Sequence, residues 1–402
     1  MRFLLFSSLY PSSVRPGHGI FVETRLRELL GASDVQAKVI APVPWFYSSD
    51  PKHGVHGLMA ATPRREQWHG IDVLHPRYPL PPKVGMHIAP LSLALGAVPA
   101  VRRLLAEGFD FDLIDAHYFY PDGVAAGLLA QWFGKPFVVT ARGSDLNLIA
   151  NYPLPRRMMQ WAARRSHGVI GVSQALADIL SGWGLDASQV HTMRNGVDLQ
   201  RFSPVPPAQA RQRLGLDGGP ILISVGHLVE LKGHHLAIEA LAALSDQHPA
   251  ARLLIVGDGT ERSRLEALAR DLGLTGRVRF AGAVPNQELA VWYSAADLLI
   301  LASSREGWAN VLLESMACGT PVVATRVGGN AEVVACHTAG RLIEAREAAS
   351  IAEAASSLLG SPPDRMDVRR YAEQFSWQAT SAAQLDLFRR AAGRSNFTLQ
   401  NV

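Results

Sequence analysis

The feature that most constrains the fold is an alternation of short apolar runs with helical stretches, which occurs twice along the chain. In the first series the predicted strands are RFLLFSS, VQAKVIAPV, DLIDAH, PFVVTARG and HGVIGVS, with helices expected at residues 21–30, 124–133 and 174–182. Strands that are apolar along most of their length are buried on both faces of a sheet. Alternation of such strands with helices predicts a parallel sheet with helices on both sides.

A proline-rich stretch separates the two series. Residues 201–210 (RFSPVPPAQA) follow the turn pair Asn195-Gly196, which favours a linker here. The strands predicted after it are ILISVGH, ARLLIVGDG, VRFAGAV, DLLILAS and PVVATRVGG. A length of 402 residues also suits two domains. We therefore predict two doubly wound α/β domains, residues 1–200 and 201–380, with a C-terminal helix or tail, residues 381–402, that returns to the first domain.

Composition and charge exclude several classes of protein. Hydrophobic residues make up 48% of the chain and charged residues 18%, which excludes a mainly disordered protein. The net charge of +4 is too small to require nucleic acid, and we expect none as a partner. Residues 1–205 contain 20 Lys+Arg against 15 Asp+Glu, whereas residues 206–402 contain 19 against 20. An anionic membrane surface is therefore a further expected partner of the first domain, the alternative being an ordinary solvated face.

Neither a disulfide framework nor a transmembrane segment is predicted. The two cysteines, Cys318 and Cys336, form no metal-binding spacing and fit a reducing cytoplasm. The apolar start of the chain is predicted to be a buried first strand rather than a signal peptide. Residues 86–101 (MHIAPLSLALGAVPAV) contain Pro90 and Pro99 and are short for a span. We predict a core helix there, the alternative being an apolar patch that touches a bilayer.

The most specific segment is residues 303–325, SSREGWANVLLESMACGTPVVAT. Glu306 follows a predicted strand, Gly307 permits a tight turn, and a helix is expected to begin near Asn310. A helix N-terminus presents free N–H groups and a positive dipole, which suit a phosphate group. Glu314, about two turns into the helix, is placed to accept hydrogen bonds from the hydroxyls of a ribose.

This segment resembles the C-terminal signature of the family 4 retaining glycosyltransferases, enzymes of the GT-B fold, in which two Rossmann-like domains face each other across a cleft. Other segments resemble the family in the expected order: residues 7–27 as the first glycine loop, residues 116–126 around His117, RNGVDLQRF before the linker, and VGHLVELKG as the phosphate-binding loop with Lys232. The resemblance extends over roughly residues 1–380. It implies a transferase that moves a sugar from a nucleotide-diphosphate sugar to an acceptor hydroxyl.

The resemblance also implies roles for individual residues. His117 and Glu306 are the expected catalytic residues, and no metal or other cofactor is expected. The donor-binding residues implied are Gly17, Gly19, His227, Lys232, Val284, Gly307, Trp308, Ala309, Asn310 and Glu314. Arg15, Arg142 and Asp145 are implied on the acceptor side.

Two positions depart from the family pattern. His227 stands where an arginine usually follows the glycine of the phosphate-binding loop, which leaves Lys232 as the fixed positive charge. Arg142 stands where a histidine often precedes the glycine of the GSD segment.

The expected role is cell-surface polysaccharide or lipid-linked glycan biosynthesis, in the cytoplasm or peripherally on the inner face of the membrane. The alternatives are a sugar-nucleotide epimerase or a phosphorylase on the same architecture, or a nucleotide-sugar-binding protein without turnover.

Overall fold

The computed structural model describes residues 1–82 and 84–398, which divide into two compact units. The first unit contains Met1–Arg194 together with the chain from Gln378 onward, and the second unit contains Asn195–Trp377. The sequence placed this boundary slightly later. The turn at Asn195-Gly196 belongs to the second unit because Val197 N donates to Phe375 O at 2.9 Å.

The first unit is built on an eight-stranded sheet in the order β10-β9-β8-β7-β1-β2-β5-β4. Every neighbouring pair is parallel except β4 and β5, which are antiparallel. A separate parallel pair, β3 and β6, lies beside it. The strands are β1 Arg2–Phe6, β2 Gln36–Ile40, β3 Val43–Pro44, β4 Arg65–Trp68, β5 Ile71–Leu74, β6 Arg77–Tyr78, β7 Leu113–His117, β8 Phe137–Ala141, β9 Val169–Gly171 and β10 Val190–Thr192.

Helices cover this sheet and carry most of its connections. They are α1 Ile20–Gly31, α2 Val55–Ala61, α3 Gly85–Ala106, α4 Val124–Phe133, α5 Ser144–Asn147, α6 Pro153–Arg165 and α7 Gln174–Ser181. Short helical turns occur at Pro51–His53, Phe119–Gly123, Ile149–Asn151 and Ala187–Gln189.

The second unit is built on a six-stranded parallel sheet in the order β13-β12-β11-β14-β15-β16. Its strands are β11 Ile221–Val225, β12 Arg252–Val256, β13 Val278–Gly282, β14 Leu298–Leu301, β15 Val322–Thr325 and β16 Gly340–Ile343. Its helices are α8 Pro207–Leu214, α9 His234–Ala243, α10 Arg262–Asp271, α11 Leu289–Ala295, α12 Asn310–Ala317, α13 Asn330–Val333, α14 Ala348–Gly360 and α15 Arg365–Glu373, with a helical turn at Glu230–Lys232.

The last helix, α16 Trp377–Thr398, packs against the first strand of the chain. The rings of Phe3 and Phe388 meet edge to face with their centroids 5.2 Å apart. The buried guanidinium of Arg25 donates through Nε to Gln384 Oε1 at 2.7 Å. The N-terminal and C-terminal parts of the chain therefore share one core. Of the predicted tail, the last four residues lie outside the described residues.

The apolar stretch near residue 90 forms α3, which is long and apolar enough to cross a bilayer by length and composition; no other described helix is. Half of its most apolar window is buried against the protein. Leu93, Ala97, Val101 and Leu104 lie on the buried face. The predicted core helix is therefore present, and the opposite face of the same helix is exposed.

The doubly wound fold predicted from the sequence is confirmed in both units. Residues 201–210, predicted as the linker, lie inside the second unit, and the last four of them begin α8. Pro207 occupies the first turn of α8, where a missing N–H costs nothing and the fixed φ suits a helix. The antiparallel strand β4 was missed because REQW has no apolar run.

Candidate active site

A charged pair lies at the carboxyl end of the second unit's central strands. Lys232 Nζ donates to Glu306 Oε1 at 2.6 Å, and Ser303 Oγ donates to the same oxygen at 2.7 Å. The two loops that carry Lys232 and Glu306 approach closely because Gly233, at φ +71°, has no side chain: a Cβ there would lie 2.1 Å from Ala302 O. The close packing of the two loops therefore requires glycine directly after the lysine.

Glu306 leads directly into the N-terminus of α12. Gly307, Trp308 and Ala309 are buried, and Ala309 is extended and gives the helix no side-chain cap. The amides of the first turn of a helix have no partner within the helix, and the helix dipole is positive at this end. Asn310 Oδ1 accepts from Asn195 Nδ2 at 3.1 Å, which ties this turn to the start of the second unit. The amides and the positive dipole at the N-terminus of α12 therefore suit the binding of an anion.

Glu314 lies farther along the same helix and is held by a tyrosine. Tyr293 Oη donates to Glu314 Oε2 at 2.8 Å. Burial raises the pKa of Glu314 to about 7, against the opposing effects of the Tyr293 hydrogen bond and the nearby Arg201. Tyr293 was missed by the sequence reasoning, because a tyrosine in a buried helix is usually a core residue.

Of the other residues predicted to bind the donor, His227 lies in the glycine loop after β11. His227 is exposed, and its carbonyl oxygen lies 3.2 Å from His234 Nε2. His234 is buried, and burial lowers its pKa to about 4, so the ring is neutral near pH 7. Val284 is half-buried just beyond β13. The structure thus brings Lys232, Glu306, the α12 N-terminus and this loop to one edge of the second sheet.

His117 ends strand β7 of the first unit and is fully buried. Its Nε2 lies 2.9 Å from Asp115 Oδ2, and its Nδ1 lies 2.6 Å from Arg142 Nη2. A guanidinium can only donate, so Nδ1 is the acceptor and Nε2 carries the proton that is donated to Asp115. Burial lowers the pKa of His117 to about 4, which Arg142 reinforces and Asp115 opposes. The ring is therefore neutral, with a fixed tautomer.

Arg142 and Asp145 both lie next to His117, but they differ in what they offer a ligand. Arg142 stacks over the Phe21 ring at 5.3 Å, and burial lowers its pKa to about 9. Asp145 is completely buried and accepts hydrogen bonds from four backbone N–H groups, those of Phe119, Arg142, Gly143 and Leu146. The carboxylate therefore holds two loops together, and its predicted role on the acceptor side stays a prediction.

The first glycine loop lies beside the same strands. Arg15 is half-buried near Tyr78, and burial lowers its pKa. Asp122 is buried and accepts from both the backbone N and the Oγ of Ser8. Burial raises the pKa of Asp122 to about 7, and Asp145 adds to this effect only as a minor contribution.

The two loop glycines differ sharply in their surroundings, which gives a matched pair of variants. Gly19 has φ +70°, and a Cβ there would lie 2.3 Å from Leu9 C and O, whereas a Cβ on the exposed Gly17 would meet nothing within 4 Å. We expect Gly19→Ala to lower the free energy of unfolding by ~1–3 kcal/mol, because alanine is strained at this φ and overlaps backbone. Gly17→Ala should leave it unchanged within ~0.5 kcal/mol. Urea unfolding measures both, and equal stabilities would contradict the described loop.

Two family models match the chain, and together they span both units. Residues 62–201 match Glycosyltransferase Family 4, and residues 208–375 match Glycosyl transferases group 1. A D-inositol 3-phosphate glycosyltransferase of Frankia alni is 34% identical over 70% of this chain and 74% of its own. One from Arthrobacter sp. (strain FB24) is 29% identical over 97% of this chain and 96% of its own.

Solved structures resemble the whole fold. Sucrose-phosphate synthase from Thermosynechococcus elongatus superposes with a TM-score of 0.78 at 24% identity, over 97% of this chain and 98% of its own. The HepE protein of Anabaena, solved in complex with UDP, superposes with a TM-score of 0.72 at 21% identity, over 96% and 99%. Both family models, the similarity to named glycosyltransferases and the two parallel-sheet units agree with the resemblance seen in the sequence. The chain is a glycosyltransferase enzyme that belongs to family 4 and has the GT-B fold.

Proposed function

We propose that this enzyme transfers a sugar from a nucleoside diphosphate sugar to an acceptor hydroxyl with retention of the anomeric configuration. The observation that carries the proposal is the Lys232–Glu306 pair at the N-terminus of α12. A diphosphate needs a cation and free N–H groups, and a sugar needs a carboxylate that accepts from its hydroxyls. This edge of the second sheet offers all three.

The second unit would bind the donor. Lys232 and the backbone N–H groups of residues 308–310 would hold the diphosphate, and the free oxygen of Glu314 would accept from the ribose while Tyr293 holds the other. Residues 283–285 would contact the base through their backbone. The relatives solved with UDP and UDP-glucose make uridine nucleotides the first to test.

In the reaction, the bond between the anomeric carbon and the diphosphate oxygen breaks, and its electron pair leaves with the diphosphate. The acceptor oxygen bonds to the same face of the carbon, and its proton passes to the departing diphosphate. The largest contribution of the protein would be charge already in place around that leaving group. Lys232 supplies it without a metal, and we propose that none is required.

His117 and Glu306 would orient the sugar. Because Asp115 fixes the proton on Nε2 of His117, a sugar hydroxyl would replace Arg142 as the donor to Nδ1. At Lys232 the arriving diphosphate would compete with Glu306 and release its carboxylate to accept from the sugar. Donor binding would thus exchange two internal contacts for ligand contacts.

We further propose that the first unit binds the acceptor, a glycan or lipid-linked glycan of cell-surface polysaccharide synthesis. The basic excess of residues 1–205 and the exposed face of α3 support a peripheral association with the cytoplasmic face of the membrane.

A thermal-shift panel of UDP, GDP and ADP, each with and without magnesium, tests the proposed donor site. Binding to the folded state raises the melting temperature, by an amount equivalent to ~2.7 kcal/mol at a ligand concentration 100-fold above Kd. We expect one diphosphate to exceed the other two without magnesium. No shift with any of them, or a shift only with magnesium, would count against the site. Consumption of the matching nucleotide sugar without acceptor, at a full turnover rate, would favour an epimerase instead.

A further inference from the structure

The first unit contains a pocket of about 730 Å³ that the donor chemistry does not use. Its wall is mainly apolar and aromatic, and includes Trp45, Phe46, Met59, Leu80, Met86 and Tyr118. It draws mainly on the segment around α2, the start of α3 with the residues before it, and the loop after β7, and Ser8 and Ile149 add to it from two other loops. Tyr118, which lines the pocket, directly follows His117 in the chain.

Exposed apolar side chains continue from this pocket along α3. Val84, Ile88, Leu91 and Leu95 are each 40–56% exposed and recur at spacings of three and four residues, which places them on one face. On the α2 side of the pocket, Trp45 is 58% exposed. Residues 45–60 add the exposed Tyr47, Val55 and Leu58. Tryptophan and tyrosine beside aliphatic side chains are typical of a protein surface at the membrane interface.

The charges of these segments fit an anionic lipid surface. Residues 45–60, 80–98 and 148–157 contain four basic residues, Lys52, Lys83, Arg156 and Arg157, against one acidic residue, Asp50. Arg156 and Arg157 are exposed on α6. A protein partner or a second copy would need no such excess of positive charge, whereas a bilayer with anionic headgroups attracts each cation near its surface.

We propose that this pocket binds the hydrocarbon chain of a membrane-borne lipid acceptor, with the exposed face of α3 resting on the bilayer. The proposal rests on the function above, since it specifies the acceptor of the same reaction. A chain seated between Leu80, Met59 and Trp45 would place its polar head at the Tyr118 end, beside His117. A small polar acceptor would leave these apolar walls in water. We therefore infer a different acceptor from the inositol phosphate in the names of the relatives.

Fluorescence quenching tests the pocket without turnover. The probe is dodecyl glucoside with a brominated tail, used below its micelle concentration, because bromine quenches tryptophan only at contact. We expect saturable quenching that is largely lost in Trp45→Phe and retained in Trp132→Phe, whose tryptophan is 43% exposed on α4 and does not line the pocket. Methyl glucoside should not compete with the probe, and unbrominated dodecyl glucoside should.

A second pair of variants tests the apolar wall. Leu80 and Leu272 are both 41% exposed, but Leu272 lies at the end of α10 in the second unit. Leu80→Asp should weaken the binding of the probe about tenfold, since a hydrocarbon would desolvate the new charge, and Leu272→Asp should not. Unchanged binding in Leu80→Asp, or quenching that persists in Trp45→Phe, would overturn the proposal. So would a dimer in sedimentation velocity that Leu80→Asp abolishes, because a second copy would then cover the pocket. The UDP thermal shift of the same preparations reports the donor site separately.

Discussion

Lys232→Ala is expected to lower kcat by about 10²–10³-fold, the usual cost of removing one preorganised group that stabilises a developing negative charge. The effect should be large because Lys232 is the one lysine in the sequence between residues 195 and 377. The arginine usual in the family is replaced here by the exposed His227, so the loop has no second fixed cation. The substitution also removes the cation that pairs with Glu306, so the Glu306 carboxylate, which Ser303 still hydrogen-bonds, would repel the diphosphate.

The measurement is release of the nucleoside diphosphate that the thermal-shift panel identifies, followed as kcat and KM. Arg264→Ala is the matched control, because it removes an exposed cation of the same unit that pairs with Glu261 on the surface. The control should retain full kcat. Near-normal turnover in Lys232→Ala would show that the leaving group is stabilised elsewhere.

Glu314→Gln is expected to weaken the binding of the nucleotide and, above about pH 7, to stabilise the second unit. Burial raises the pKa of Glu314 from its ordinary value near 4.5 to about 7. Between those values the folded state holds a proton that the unfolded state has lost, so its contribution to the free energy of unfolding falls as pH rises through the window. Above about pH 7 the buried carboxylate is ionised at its full cost. Glutamine has no such cost.

The second unit of Glu314→Gln should therefore melt ~2–4 °C above wild type at about pH 8 and show little difference at about pH 5. Donor affinity should change the other way. A carboxylate accepts from ribose hydroxyls more strongly than its protonated form, so the affinity of wild type for the nucleotide should rise as pH rises through 7. The variant should bind more weakly and with a flat pH profile. Glu353→Gln, at an exposed position of α14, is the control. A wild-type affinity that falls over this range would contradict the assignment.

The fold, and the place where Lys232, Glu306 and the α12 N-terminus meet, could be predicted from the sequence because both depend on local patterns. Apolar strands alternating with helices fix a doubly wound sheet, and the carboxyl ends of its strands fix where Lys232, Glu306 and the α12 N-terminus meet. Helix α4 was predicted at the residues where it occurs, 124–133. Strands β4 and β5 were not predicted from the sequence, because their pairing with each other rather than their composition holds them at the sheet edge.

In the first unit, the sequence motifs did not predict which contacts their residues make. Asp145 was singled out in the GSD segment, but only the structure reveals that it serves four backbone N–H groups. Likewise, His117 and Arg142 were singled out separately in the sequence. Nothing in their spacing indicates that the Arg142 guanidinium donates to the His117 ring. The apolar pocket draws on residues from Ser8 to Ile149, which are far apart in the chain, so no local pattern predicts it.

The packing of α16 on the first strand has a consequence for biosynthesis. The first unit is discontinuous: Phe388 and Gln384, which complete its core, are translated after the whole of the second unit. The second unit is continuous, so everything its sheet needs has been translated earlier. We therefore expect the second unit to complete its fold during synthesis before the first unit does, the reverse of the usual N-terminal-first order. In a nascent chain that ends before Gln384, Phe3 and Arg25 do not yet have their contacts with α16, whereas the second unit has been fully translated.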